Sequence, residues 1–181
     1  MENALRVEEQ MKYFTEFCRP HFFVTQTGSL IREINQIGMF HDDYIKKLKP
    51  LTKKYDLPIK EHNADYLNRS QIKKRKGLIS AMNIAPQLGI LQTQLSLYKS
   101  TLYGIDASNF LEVAYRSHKW EKWLHKNTSS NELLCSIVAG HYSFTTDQYK
   151  DLYENISRYE DFDTTIEAEM HKIFDYYITN L

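Results

Sequence analysis

An excess of charge of either sign is the first thing this sequence lacks. Its 23 lysines and arginines are matched by 23 aspartates and glutamates. A chain this neutral has no overall field to draw it onto nucleic acid or an anionic membrane. Cysteine is nearly missing too. Cys18 and Cys135 are the only two, too few for a disulfide framework and in no metal-ligand spacing. Both fall in apolar helical patterns, where a buried, reduced thiol is expected. No apolar run approaches the roughly 20 residues of a membrane span, and no charged-then-apolar leader opens the chain. The expectation is a cytoplasmic protein without a membrane role. Six glycines and four prolines in 181 residues point to few turns and long elements.

What is abundant is aromatic. Thirteen tyrosines, nine phenylalanines and two tryptophans are large core fillers with polar handles, suited to a helical pocket or to a plain helical core. The length suits one domain over 1–181. Residues 4–18 carry Leu5, Met11, Phe14 and Phe17 at helical spacing. A second helix is expected over 29–49, capped by Ser29 after Gly28 and ended by Pro50. Residues 51–69 read as a short helix and a loop. A long pattern covers 70–103, broken or kinked at Pro86 and stopped at Gly104. The next helix carries Phe110, Trp120, Trp123 and Leu124. Ser129 with Glu132, Thr145 with Gln148 and Thr164 with Glu167 have capping-box spacing before the last three helices. No stretch alternates with period two. The expected fold is therefore all-α, a single-domain helical bundle of about seven or eight helices.

Within 19–48, the apolar residues Leu30, Ile31, Ile34, Ile37, Phe40, Tyr44 and Ile45 approximate one helix face, and Asp43 sits at its edge. A carboxylate beside a buried stripe must be paired, protonated or in use. Asp43, with Tyr44 and His41, can orient a small polar ligand. Equally, it can be an exposed helix acid paired with Lys46 or Lys47. Lysine runs at 46–49, 53–54 and 73–76 are local basic patches, and Lys119 to Lys126 interleave cations with aromatics. The lysine runs serve nucleic-acid binding or plain solvated faces, and the Lys119–Lys126 stretch serves nucleic-acid stacking or an amphipathic helix whose Trp120, Trp123 and Leu124 face the core.

Taken in order, several segments resemble the thiaminase-II (TenA)-like branch of the haem-oxygenase-like all-α superfamily. The entry His21-Phe22-Phe23 with Thr27-Gly28-Ser29-Leu30 is similar to the opening of that branch, and Asp43-Tyr44 falls at its Gln-Asp-Tyr segment. The helix ending at Gly104-Ile105, Tyr115, the run NELLCSIVAGHYSF and the segment from Tyr153 to Phe162 also resemble family segments. The resemblance spans roughly 19–178 and implies a haem-oxygenase-like helical pocket. It also implies altered chemistry. The family's nucleophilic cysteine falls at Gly140, and Cys135, five residues earlier, cannot simply replace it. The tyrosine after that cysteine becomes Phe144, and Gln92 or Gln94 replaces the helix glutamate, with Tyr98 near a histidine position. The family's last helix, with its catalytic glutamate, has no counterpart up to Leu181. A haem ligand would have to be His21, and a metal pair Glu167 with His171. Neither is a convincing site, so no cofactor and no metal are expected.

The leading expectation is a small-molecule-binding protein with a central aromatic pocket, taking an aromatic or heterocyclic ligand. Its contacts would be Asp43, Tyr44, Tyr98, Tyr115, His141, Phe144 and Tyr153. Whether catalysis remains is open. Two alternatives stand beside it: a helical protein-interaction (immunity or inhibitor-type) protein, with a protein partner or an oligomer, and a nucleic-acid binder using the lysine runs.

Overall fold

Asn3 accepts the Leu5 N–H at 3.1 Å, capping α1 (Ala4–Phe17). The computed structural model describes residues 3–181. After α1 come β1 (Phe23–Thr25), β2 (Ile31–Arg32), β3 (Asn35–Gln36), α2 (Asp42–Lys54), β4 (Ile59–Glu61), α3 (Arg69–Lys73) and β5 (Ala81–Met82). The rest of the chain is helical: α4 (Ala85–Tyr103), α5 (Ser108–Arg116), α6 (Glu132–Ala139), a 3-10 turn (Gly140–Ser143), α7 (Asp147–Ser157) and α8 (Phe162–Asn180). The protein is thus mostly helical. It divides into two compact units, one taking in the chain up to Ile31, Asn35–Ile84 and Tyr177–Leu181, the other Arg32–Ile34 and Ala85–Tyr176.

The first unit is built on a parallel sheet, which the all-α expectation does not contain. Its strand order is β1-β4-β5, with Phe23 opposite Ile59 and Lys60 opposite Ala81. Helices α2 and α3 are the crossovers that parallel pairing requires. Val7 and Met11 of α1, Ile45 and Leu48 of α2, and Phe23 and Ile59 of the strands share one core.

The strands escape sequence detection because each is only two or three residues long, too short to display a period of two. The expected helix over 29–49 is shortened to α2. Of its apolar stripe, Ile31 is 1% exposed, yet Leu30, Ile34 and Ile37 are 41–51% exposed. Their helical spacing is coincidental. Pro50, expected to end the helix, lies inside it. Residues 51–69, read as helix and loop, contain β4.

In the second unit, one core gathers Phe110, Tyr149, Leu152, Ile156, Phe162 and Ile166. Another gathers Ile90, Leu124, Cys135 and Val138, with Trp120 and Trp123 against it. The tryptophans face a core as expected, but α5 stops at Arg116 and they lie on turns. The break expected near Pro86 falls just before it, since α4 starts at Ala85. The caps are displaced from the expected residues: Asn131 accepts from Leu134 N at 3.0 Å, Thr146 from Tyr149 N at 3.4 Å and Asp161 from Thr164 N at 3.1 Å. Cys135 is buried as expected, while Cys18 is exposed because it follows the last turn of α1.

Candidate functional site

In the first unit, the carboxyl ends of β1 and β4 carry a buried polar cluster. Glu61, the last residue of β4, and Arg75, two residues beyond α3, are 0% and 1% exposed. Arg75 Nε donates to Glu61 Oε2 at 2.6 Å and Nη2 to Oε1 at 2.9 Å, a bidentate pair. Thr27 Oγ1 donates to Glu61 Oε1 at 2.8 Å, and the Ser29 hydroxyl donates to the same oxygen while accepting from Arg75 Nη2 at 3.0 Å. Arg75 Nη1 donates to the Gln71 carbonyl at 2.7 Å. Its guanidinium centre lies 4.3 Å from the Phe40 ring centroid.

The loop that brings Thr27 and Ser29 to this point is fixed by two glycines. Gly28 has φ +95°, and a Cβ there would lie 1.9 Å from Met39 O and 2.9 Å from His41 Nε2. A Cβ on Gly38 would lie 2.2 Å from Gly28 O. The two backbones therefore cross at a distance only glycine permits. Gln36 ties the loop down: its Oε1 accepts from Leu30 N and Gly38 N, and its Nε2 donates to the Asn63 and Asp65 carbonyls at 2.7 and 3.1 Å.

Chemically, the cluster is a neutral polar platform. The charges of Glu61 and Arg75 cancel, and their hydrogen-bonding capacity is largely used within the protein. Ser29 within it is half-buried, the half-buried His41 lies against Gly28 of the same loop, and His62, next to Glu61 in the chain, is exposed. Such an arrangement can hold hydroxyl or carbonyl groups. It offers no free cation for a highly charged anion. Among the described residues, no three His, Cys, Asp or Glu gather to hold a metal ion.

The residues singled out in sequence are placed differently. The Asp43 side chain is 89% exposed, 3.6 Å from Lys46. That is the surface-acid reading. Tyr44 is buried, its hydroxyl 3.3 Å from Thr25 Oγ1. In the second unit, Tyr98 is 62% exposed and Tyr115 stacks on Trp120 with centroids 5.7 Å apart. His141 has a buried Nδ1 without a partner among the described residues, and burial, aided by nearby Lys122, pushes its pKa down to about 4.

Only Phe144 and Tyr153 share a cluster, each beside Tyr149 at 4.4 and 6.2 Å. The Tyr149 hydroxyl accepts from Gln92 Nε2 at 2.8 Å. Burial, followed by Asp163, pushes the Tyr153 phenol up to about 12. Gly140 is a packing residue, since a Cβ there would lie 2.5 Å from both Thr93 Cγ2 and Oγ1. Any larger residue at 140, cysteine included, requires the buried Thr93 side chain to shift.

Glu61 and Arg75 were missed in sequence. Arg75 is hidden in a run of four cations, and Glu61 in a polar stretch with no helical or strand period. No family model, curated protein or solved structure matches this chain.

Proposed function

We propose that this chain binds a small, polar, uncharged molecule at the carboxyl ends of β1 and β4, with Ser29 and His41 as contacts. The observation that supports this is the buried Glu61–Arg75 pair with Thr27 and Ser29 at those strand ends. In open parallel sheets, ligands bind outside the carboxyl ends of the strands, most often where the strand order reverses; this sheet runs in sequential order, so the support comes from the buried polar cluster at its strand ends. Buried, charged and hydrogen-bonded groups also concentrate at functional sites. The neutral pair favours hydroxyl- or carbonyl-bearing ligands over strongly charged ones. This keeps a small-molecule-binding role and moves its site from helical aromatics to strand ends.

A second reading keeps the ligand in the second unit, beside Phe144, Tyr149 and Tyr153, as a haem-oxygenase-like, TenA-related pocket would have it. What favours it is the adjacency of those rings. The two are separated by amide chemical shifts during titration with polyols, carbonyl compounds, nucleosides and pyrimidines. The strand-end reading expects shifts at Thr27 to Ser29, His41 and His62, lost in His41→Ala. Shifts confined to 144–153 support the second reading, and no shift with any compound overturns both.

A further inference from the structure

The first unit exposes a sheet edge and an aromatic surface side by side. Phe23 N donates to Pro58 O at 2.8 Å, so Phe23 and, two residues on, Thr25 direct their backbone bonds toward β4. By the same alternation, the Val24 N–H and C=O face the other side, where β1 is the outermost strand of its sheet. Exposed edges are normally guarded by charges, proline or a bulge. From Phe22 to Gln26 there is neither a charged residue nor a proline.

Beside this edge, a groove of about 760 Å³ is walled by Tyr13 and Phe14 of α1 and by Phe22 and Val24. Those four and the neighbouring Phe17 are between 42% and 72% exposed. Tyr13 lies 5.5 Å from Phe14 and 4.8 Å from Phe17 between ring centroids. An apolar patch of this kind marks an interaction surface.

Two features say what covers it. An open backbone edge calls for another β-strand. The rim calls for the same surface again: Arg6 and Glu9 both line the groove, one turn apart on α1. Neither has an ion-pair partner among the described residues. Across a two-fold axis, a patch carrying both an unpaired cation and an unpaired anion is complementary to itself, residue i meeting j and j meeting i. A chain of zero net charge puts no general repulsion in the way. We infer that the β1 edge and the α1 aromatic face are a homodimer interface. In it, two β1 strands pair antiparallel about Val24, the aromatic faces cover one another, and Arg6 of each copy meets Glu9 of the other.

The test is sedimentation velocity of the full chain over a concentration series. The wild type should sediment at twice the 21.5 kDa of one chain. Phe17→Glu, at a 72% exposed position, should weaken dimerisation at least tenfold with an unchanged circular dichroism melt. Arg6→Glu should weaken it severalfold, and the swap Arg6→Glu with Glu9→Arg should restore it to within about threefold. In the wild type, the Val24 amide should exchange slowly, and in Phe17→Glu fast. A wild type that stays monomeric throughout overturns the proposal. So does a dimer that Phe17→Glu and Arg6→Glu leave unchanged, because its interface then lies elsewhere.

Discussion

At the scale of the residue, the Glu61–Arg75 pair has the largest consequences. Both side chains are almost fully buried, so each charge depends on the other for compensation. Removing one partner strands its mate, which costs about 3–5 kcal/mol, whereas replacing both with apolar residues of similar volume is often neutral. Glu61→Gln is therefore expected to lower the unfolding free energy by about 3–5 kcal/mol in urea melts. Glu61→Leu combined with Arg75→Met should cost markedly less than the sum of the single changes. A Glu61→Gln effect below 1 kcal/mol would contradict the buried pairing. This dependence is invisible in sequence, where Arg75 is one of four consecutive cations. What distinguishes it from Lys73, Lys74 and Lys76 is that only Arg75 turns inward, over Phe40 and onto Glu61.

At the scale of the element, α2 shows how local chemistry yields to packing. Pro50 lies in its interior, where it cannot donate to the Lys46 carbonyl and should break the helix. The helix runs on to Lys54 because Ile45 and Leu48 are buried in the first core and Leu51 packs against it. Pro50 itself is exposed, so Pro50→Ala removes no buried surface. It should raise stability by about 1–3 kcal/mol, measured as a higher denaturation midpoint at unchanged slope, and a lower midpoint would refute this. The same element marks the limit of what the sequence could reveal. Helix α1 is where its pattern puts it, but of Leu5, Met11, Phe14 and Phe17 only Met11 is buried, and the run of helices after Ala85 is legible apart from displaced caps and from α5, which stops at Arg116 short of the tryptophans. Residues 29–41 are not, since Gly28, Gly38 and Gln36 act through contacts distant in sequence. Strands of two or three residues carry no period to read. The candidate site fails for the same reason: Thr27, Ser29, Glu61 and Arg75 meet only because parallel pairing brings two strand ends together. Asp43, chosen from an apparent helix face, points to solvent because that face does not exist.

At the scale of the whole molecule, segments far apart in sequence meet within the first unit. Tyr177, near the end of α8, belongs to the same compact unit as the segment after β4. Its hydroxyl donates to the Ala64 carbonyl at 2.7 Å and accepts from the Leu67 N–H at 3.1 Å, contacts 113 and 110 residues apart in sequence. From the sequence alone, Tyr177 is one position of a helical stripe with Ile166, Met170 and Ile173. Its hydroxyl, and not only its ring, satisfies two backbone groups in a region where Ala64 and Leu67 are 0% and 3% exposed. A buried backbone donor or acceptor left without a partner costs about 1–3 kcal/mol. Tyr177→Phe keeps the ring and removes both bonds. It is expected to lose about 2–4 kcal/mol of stability and to speed exchange of the Leu67 amide far more than that of Ile90 in the other unit. If stability and the Leu67 amide are both unchanged, water replaces the phenol at no cost, and the closing contact is incidental to the fold. If both change as expected, the first unit needs the far end of the chain to complete it, and removing Tyr177–Leu181 should destabilise the sheet that carries Glu61.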